Sequence, residues 1–269
     1  METIIVTTDF SAASANALNY ACGFANDNNA NIVLARIYSV PAGYAAEGLS
    51  QVSVNDAIDT DNARLQQELE RVTDSYPRLA IDARMVVEDF DEALQQLSKE
   101  LNPQMIVMGA VTGYAELWQW GDDWLDAVLS LPCPVLVIPG HIEYSPILNI
   151  AFACDYKSVY QPDHVAKMRK LVQLTKADFY IVHVTTGKPE DEEEKREALA
   201  AAFGEDIDPQ FITVENKQVL AGIAAFEQQY AIDLLLVIPR RHGIWHNLFN
   251  KSYSRQLAQL NNLPVMAIH

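Results

Sequence analysis

The feature that most constrains this chain is an internal repeat whose period is the length of a whole domain. Thr3-Ile-Ile-Val-Thr-Thr-Asp9-Phe10 is echoed by Asn149-Ile-Ala-Phe-Ala-Cys-Asp155-Tyr156, each a short apolar run closed by an aspartate and an aromatic residue. Asn31–Ile37 then matches Asp178–Val184, and Arg84–Glu88 matches Phe211–Glu215. Met105–Met108 pairs with Leu235–Ile238, and Pro134–Ile138 with Pro264–Ile268. Five segments recur in one order at offsets of roughly 130 to 147 residues, far longer than the unit of about 20–50 residues that builds a solenoid. Chance agreement is easy at one pair and hard at five ordered pairs. The 269 residues therefore read as two domains, residues 1–140 and 147–269. Residues 141–146 are the linker, inside a segment with proline at both ends, Pro139-Gly-His-Ile-Glu-Tyr-Ser-Pro146.

The repeated runs are short and rich in Val and Ile, the pattern of strands buried on both faces. Helical patterns separate them. Ser11 can cap a helix over 12–26, where Ala17, Leu18, Ala21, Cys22 and Ala25 follow helical spacing. Further helices are predicted over 56–75, 91–101 and 122–131, the last stopped by Pro132 and Pro134. The second half repeats the pattern over 164–175, 190–203, 217–229 and 251–260. Strands alternating with helices predict an α/β fold: two tandem domains, each an open five-stranded parallel sheet with helices on both faces.

Charge then narrows the partners. Nineteen basic against 36 acidic residues leave −17 at neutral pH, a field that repels nucleic-acid phosphates and anionic lipid headgroups. No apolar run approaches the roughly 20 residues that span a bilayer, and the N-terminus lacks the pattern of a signal peptide. The three cysteines, Cys22, Cys133 and Cys154, make no complete disulfide framework and no metal-ligand pair. They read as reduced thiols of a cytoplasmic protein.

The opening Ile4-Ile-Val-Thr-Thr-Asp-Phe-Ser11, the Ala-rich helix after it and Ala30–Ile37 resemble the start of a universal stress protein. So do Met105-Ile-Val-Met-Gly109 and Pro132-Cys-Pro-Val-Leu-Val-Ile138. In the second half, Pro239-Arg-Arg-His-Gly243 and Leu263–Ile268 fall where the family pattern requires them. The whole chain thus resembles a tandem universal stress protein, which implies an adenine nucleotide α hydrolase-like, Rossmann-like fold. It also implies a stress-response binding or interaction module. Single-domain members commonly dimerise through the last strand. The resemblance therefore implies that Pro134–Ile138 and Pro264–Ile268 pair antiparallel inside this chain, covering each other's exposed edge. A homodimer of such tandems stays open.

The family divides into ATP binders and non-binders. After the fourth strand, binders carry Gly, two residues, Gly, nine residues, then Gly followed by Ser or Thr. Glycines let the backbone approach phosphates, helix N–H groups face the anion, and the hydroxyl adds a hydrogen bond. An aspartate after the first strand contacts the adenosine end in binders; that position is Asp9 in the first half and Asp155 in the second. In the first half the glycines are Gly109, Gly113 and Gly121, one residue short overall, and Asp122 and Asp123 follow where a hydroxyl is required. A carboxylate at about 4 Å from a phosphate charge costs about 4 kcal/mol at an effective dielectric of about 20. Trp118, Trp120 and Trp124 read as packing in this loop. In the second half, Ile238 and Arg241 stand at the first two glycine positions, Lys251 at the third, and Ser252 at the hydroxyl position. Arg240, Arg241, His242 and Lys251 make this the most basic stretch of an acidic chain, able to hold a phosphate or carboxylate.

The expected ligand state follows from these departures: no ordinary ATP site, with ATP or another adenine nucleotide in the altered first pocket as the alternative reading. That alternative would make the chain a nucleotide-regulated switch or a slow ATPase. An anionic metabolite at Arg240, Arg241, Lys251 and Ser252 is a third. No Walker loop, dinucleotide fingerprint or nucleophile elbow is present in the sequence. His242 and His246 have a zinc-helix spacing but no third ligand. His183 reads as a hydrogen-bonded histidine within a strand, and no catalytic constellation emerges.

Overall fold

A computed structural model of the chain describes residues 2–40, 51–114, 130–156, 161–185, 193–238 and 263–269. The first half contributes β1 (Thr3–Thr8), α1 (Ala12–Asn28), β2 (Asn31–Tyr38), α2 (Gln51–Ser75), β3 (Ile81–Val87), α3 (Phe90–Leu101), β4 (Met105–Tyr114) and β5 (Val135–Pro139). The second contributes β6 (Asn149–Cys154), α4 (Pro162–Thr175), β7 (Asp178–Thr185), α5 (Glu193–Phe203), β8 (Gln210–Glu215), α6 (Val219–Tyr230), β9 (Leu234–Val237) and β10 (Val265–Ala267). The helices expected over 122–131 and 251–260 lie largely or wholly outside the described residues.

The strands form one ten-stranded sheet in the order β3-β2-β1-β4-β5-β10-β9-β6-β7-β8. The pairings within β1–β5 and within β6–β10 are parallel, with Ile4 opposite Ile32 and Met105, and Ile150 opposite Phe179 and Leu234. The seam between the two sets is antiparallel: Val265 faces Val137, Met266 faces Leu136 and Ala267 faces Val135. The carboxyl ends of β1–β5 and of β6–β10 consequently point to opposite margins of the sheet.

Alternation along each strand explains why both faces need helices. Ile4 and Val6 join Leu65 and Val72 of α2 and the apolar stripe of α1 on one face. Ile5 turns the other way to meet Ala93, Leu94 and Leu97 of α3. In the second half Phe152 packs with Met168 of α4 and Phe203 of α5, while Ala151 and Ala153 face Ile223 and Phe226 of α6. Each fully buried Val, Leu, Ile, Met or Phe among these contributes about 1.5–3 kcal/mol.

Helix ends obey local chemistry. Ser14 N–H donates to Ser11 Oγ at 3.2 Å, capping α1, and Asn29 closes it in the left-handed region at φ 52°. Residues 139–146, which include the expected linker 141–146, lie pinned on α1. Asn16 Nδ2 donates to the carbonyls of Pro139 (3.2 Å) and Ile142 (2.9 Å). Tyr144 stacks edge-on against Tyr20 and donates to Asp27 Oδ2 at 2.8 Å.

Two boundaries differ most from the sequence reading. Helix α2 begins at Gln51, five residues before the expected start, and β4 runs ten residues to Tyr114. Gly109 and Gly113 both lie within this strand.

Candidate functional site

The chain leaves β1 through Thr7-Thr8-Asp9 and turns directly into α1. Phe10 adopts φ 64°, uncommon for a bulky residue, and its N–H donates to Thr8 Oγ1 at 3.0 Å. Ser11 N–H donates to Asp9 Oδ1 at 2.9 Å. Ser14 Oγ donates to Ser11 O at 3.0 Å and lies 3.2 Å from Thr8 Oγ1. Partial burial pushes the Asp9 carboxyl up, but hydrogen bonding by Ser11 and Ser14 outweighs it and holds the group below its ordinary value. Asp9 is thus a fixed negative charge at the start of α1, where the helix dipole also favours an anion.

Beside this turn, between β1 and β4, the winding of the first five strands reverses direction, and a cleft of about 320 Å³ opens there. Ligands of open α/β sheets bind at such switch points, at the carboxyl ends of strands. Thr7, Thr8 and Asp9 form one side, Arg36 and Ile37 of β2 another, Met108 and Gly109 of β4 a third, with Ser14, Phe90 and Asp91 completing the lining. The volume suits a nucleoside-sized ligand.

Charge in the cleft is unlike that of a phosphate site. Arg36 is the one cation among its described lining residues, against Asp9 and Asp91. Its guanidinium already bonds Asp61 of α2 through Nε and a terminal nitrogen, both at 2.7 Å, with the side chains 21% and 12% exposed. Arg36 and Arg64 also sit over the Phe10 ring, 5.3 and 4.5 Å from its centroid, a placement worth about 0.5–2 kcal/mol.

Gly109 has a packing role here. A Cβ on it would stand 2.3 Å from the Ala13 carbonyl oxygen and 2.8 Å from Ser14 N, so its bare backbone is what admits the first turn of α1. The corresponding position of the second half is Ile238, buried in the core. There the helix starts later: α4 begins at Pro162, seven residues after Asp155, whereas α1 begins three residues after Asp9. Tyr156 repeats the left-handed turn of Phe10 at φ 52°. Its buried ring lies 5.0 Å from that of His183, whose Nδ1 is 2.9 Å from Cys154 O.

Of the sequence-predicted site residues, the structure brings Asp9 and Gly109 into one cleft, places Gly113 further along β4, and puts Asp155 at the equivalent turn of the second half. Gly121, Arg240, Arg241, Lys251 and Ser252 lie outside the described residues. The sequence reading misses Arg36, Asp61, Ser14 and Asp91. An arginine inside the apolar run Asn31–Ile37 is the available signal for the first, but its partner is 25 positions away.

A family model described as the Universal stress protein family matches residues 1–139. A universal stress protein from Archaeoglobus fulgidus shares 15% identity over 99% of this chain and 97% of its own, with a TM-score of 0.72. A putative universal stress protein from Pseudomonas aeruginosa shares 15% over 100% of this chain and 93% of its own, at 0.56. One from Arabidopsis thaliana, solved with AMP bound, covers 54% of this chain and 93% of its own at 16% identity and 0.36. No curated protein matches the chain.

Proposed function

The chain belongs to the universal stress protein family, and we propose that it acts as a stress-response binding and interaction module without enzymatic turnover. In this reading residues 1–140 and 147–269 are two such domains, and their pairing replaces the contact between two separate subunits. The observation that carries the reading is the antiparallel register of Val135–Val137 against Val265–Ala267. It hides the edges that a dimer of separate chains would have to cover. What the cleft binds follows from its charge. Asp9 and Asp91 face one arginine already engaged by Asp61, an arrangement that accepts the uncharged, hydrogen-bonding end of a nucleoside and opposes a triphosphate.

Mass spectrometry of freshly purified, denatured protein tests this, with neither ATP nor AMP expected at stoichiometric occupancy. Stoichiometric ATP or AMP would replace it with the second reading, a nucleotide-regulated switch or slow ATPase using Asp9, Gly109, Gly113 and Gly121. What favours that alternative is the position of the cleft at the switch point of the strands. An anionic metabolite held by Arg240, Arg241, Lys251 and Ser252 is tested separately by thermal shift with phosphorylated ligands.

A further inference from the structure

We propose that a second cleft, at the amino ends of β1, β4 and β5, is a binding site for a small oxyanion that also carries a hydroxyl group. This cleft measures about 440 Å³ and lies at the opposite end of these strands from the first. One wall is made by Glu2, Thr3, Gln104 and Cys133; the other is the face of α4 that presents Lys167 and Lys170, with Met105, Leu171 and Met266 supplying apolar surface.

Three observations define the ligand. The first is charge: two ammonium groups face one carboxylate, Glu2, among the described lining residues, in a chain whose net charge is −17. Lys167 and Lys170 are three residues apart on one helix and so share a face. The second is that their present partners are exchangeable. Lys167 bonds Asp163 at 2.7 Å, but that carboxylate is 67% exposed, and Lys170 bonds Glu2 with both groups about half exposed. Exposed pairs of this kind contribute little, and an anion in the cleft accepts charge-assisted hydrogen bonds from the same ammonium groups. Lys167 also donates to the backbone oxygen of His269, which holds its stem, 21% exposed, along the wall.

The third is Gln104. Its Oε1 is buried and has no hydrogen-bond partner among the described residues, a costly state that a ligand can relieve. In either orientation of the amide the unsatisfied atom is met by a hydroxyl, which both donates and accepts. Carboxylate and phosphate share the chemistry the lysines read. The site therefore takes a hydroxycarboxylate or the phosphate ester of a small polyol.

Calorimetric titration of the full chain with L-malate, succinate and glycerol 3-phosphate tests this. Malate or glycerol 3-phosphate is expected to bind with a dissociation constant of about 0.1–1 mM. Succinate, which is malate without the hydroxyl, should bind about fivefold more weakly. Replacing Lys167→Met and Lys170→Met together keeps the apolar stems and should remove the heat of both ligands. Gln104→Leu should erase the difference between malate and succinate while leaving succinate unchanged, and it serves as the decisive variant if the double substitution fails to fold. No heat from malate or glycerol 3-phosphate at about 10 mM, or undiminished binding by a folded double variant, overturns the proposal.

Discussion

Replacing Gly109 with alanine puts the packing of α1 on β4 to a direct test. The added Cβ would lie 2.3, 2.5 and 2.8 Å from Ala13 O, Ala13 C and Ser14 N. All three are backbone atoms, so no side-chain rotation relieves the overlap. Reaching an ordinary separation of about 3.5 Å requires the first turn of α1 to retreat by roughly 1 Å. That helix is not free to move: Ala17, Leu18, Ala21, Cys22 and Ala25 are each at most 1% exposed against the sheet. A gap of about 1 Å forfeits a quarter to a half of each contact's attraction, and overpacking of this kind costs about 1–3 kcal/mol. The opposing gain, from a stiffer unfolded chain, is about 0.4–1 kcal/mol. The net expectation is a loss of about 1 kcal/mol, read as a lower urea midpoint at unchanged slope. An unchanged or raised midpoint would refute the argument. Gly109 would then be explained by close approach of a ligand instead of close approach of a helix.

Other substitutions probe separate contacts. At Gly23 a Cβ would stand 2.3 Å from the Tyr144 ring, so Gly23→Ala should cost about 1 kcal/mol by displacing it from Tyr20 and Asp27. In a Tyr144→Ala background the same change should instead stabilise by about 0.5–1 kcal/mol, the usual helix-interior preference for alanine, measured as a double-mutant cycle. Arg36→Met should cost about 1–3 kcal/mol by leaving the nearly buried Asp61 uncompensated, with Asp61→Asn in the same background recovering part of it in urea melts. Burial pushes the Cys22 thiol up to about 12 and that of Cys133 up to about 11. Ellman's reagent at pH 8 should therefore label neither until the protein unfolds, and fast native labelling of either would contradict their burial. Because the folded state lowers the Asp9 carboxyl, its stabilising contribution is complete above about pH 4 and lost as pH falls through the depressed value. An NMR titration midpoint for Asp9 at or above 3.8 would count against the Ser11–Ser14 arrangement.

Features set by near neighbours along the chain are legible in the residues themselves. Apolar runs such as Ile4-Ile5-Val6 mark strands because both of their faces are covered, and Ser11 marks a helix start because its hydroxyl caps Ser14 N–H. Contacts made across long separations are not. The Arg36–Asp61 pair spans 25 positions and the Tyr144–Asp27 hydrogen bond spans 117, so neither leaves a local pattern. The extent of β4 is hidden because glycine usually signals a turn. At Gly109 the signal arises from a helix crossing close overhead, which is invisible to spacing along the chain. In the candidate site Asp9 and Gly109 are legible from motif position, whereas the charge balance with Arg36 and Asp91 depends on three strands and a helix meeting.

The antiparallel seam between β5 and β10 also bears on how this molecule can change. Where two identical chains meet across such a seam, every substitution appears twice, and neither pocket can alter without the other. Here the two sides are written separately, and the carboxyl ends of their strands face opposite margins of one sheet. One side retains Gly109 and an early helix start, while the other has Ile238 and a later one. Carrying both sides of the seam in a single chain releases each from the symmetry of the other, so a residue needed on one side places no constraint on its counterpart.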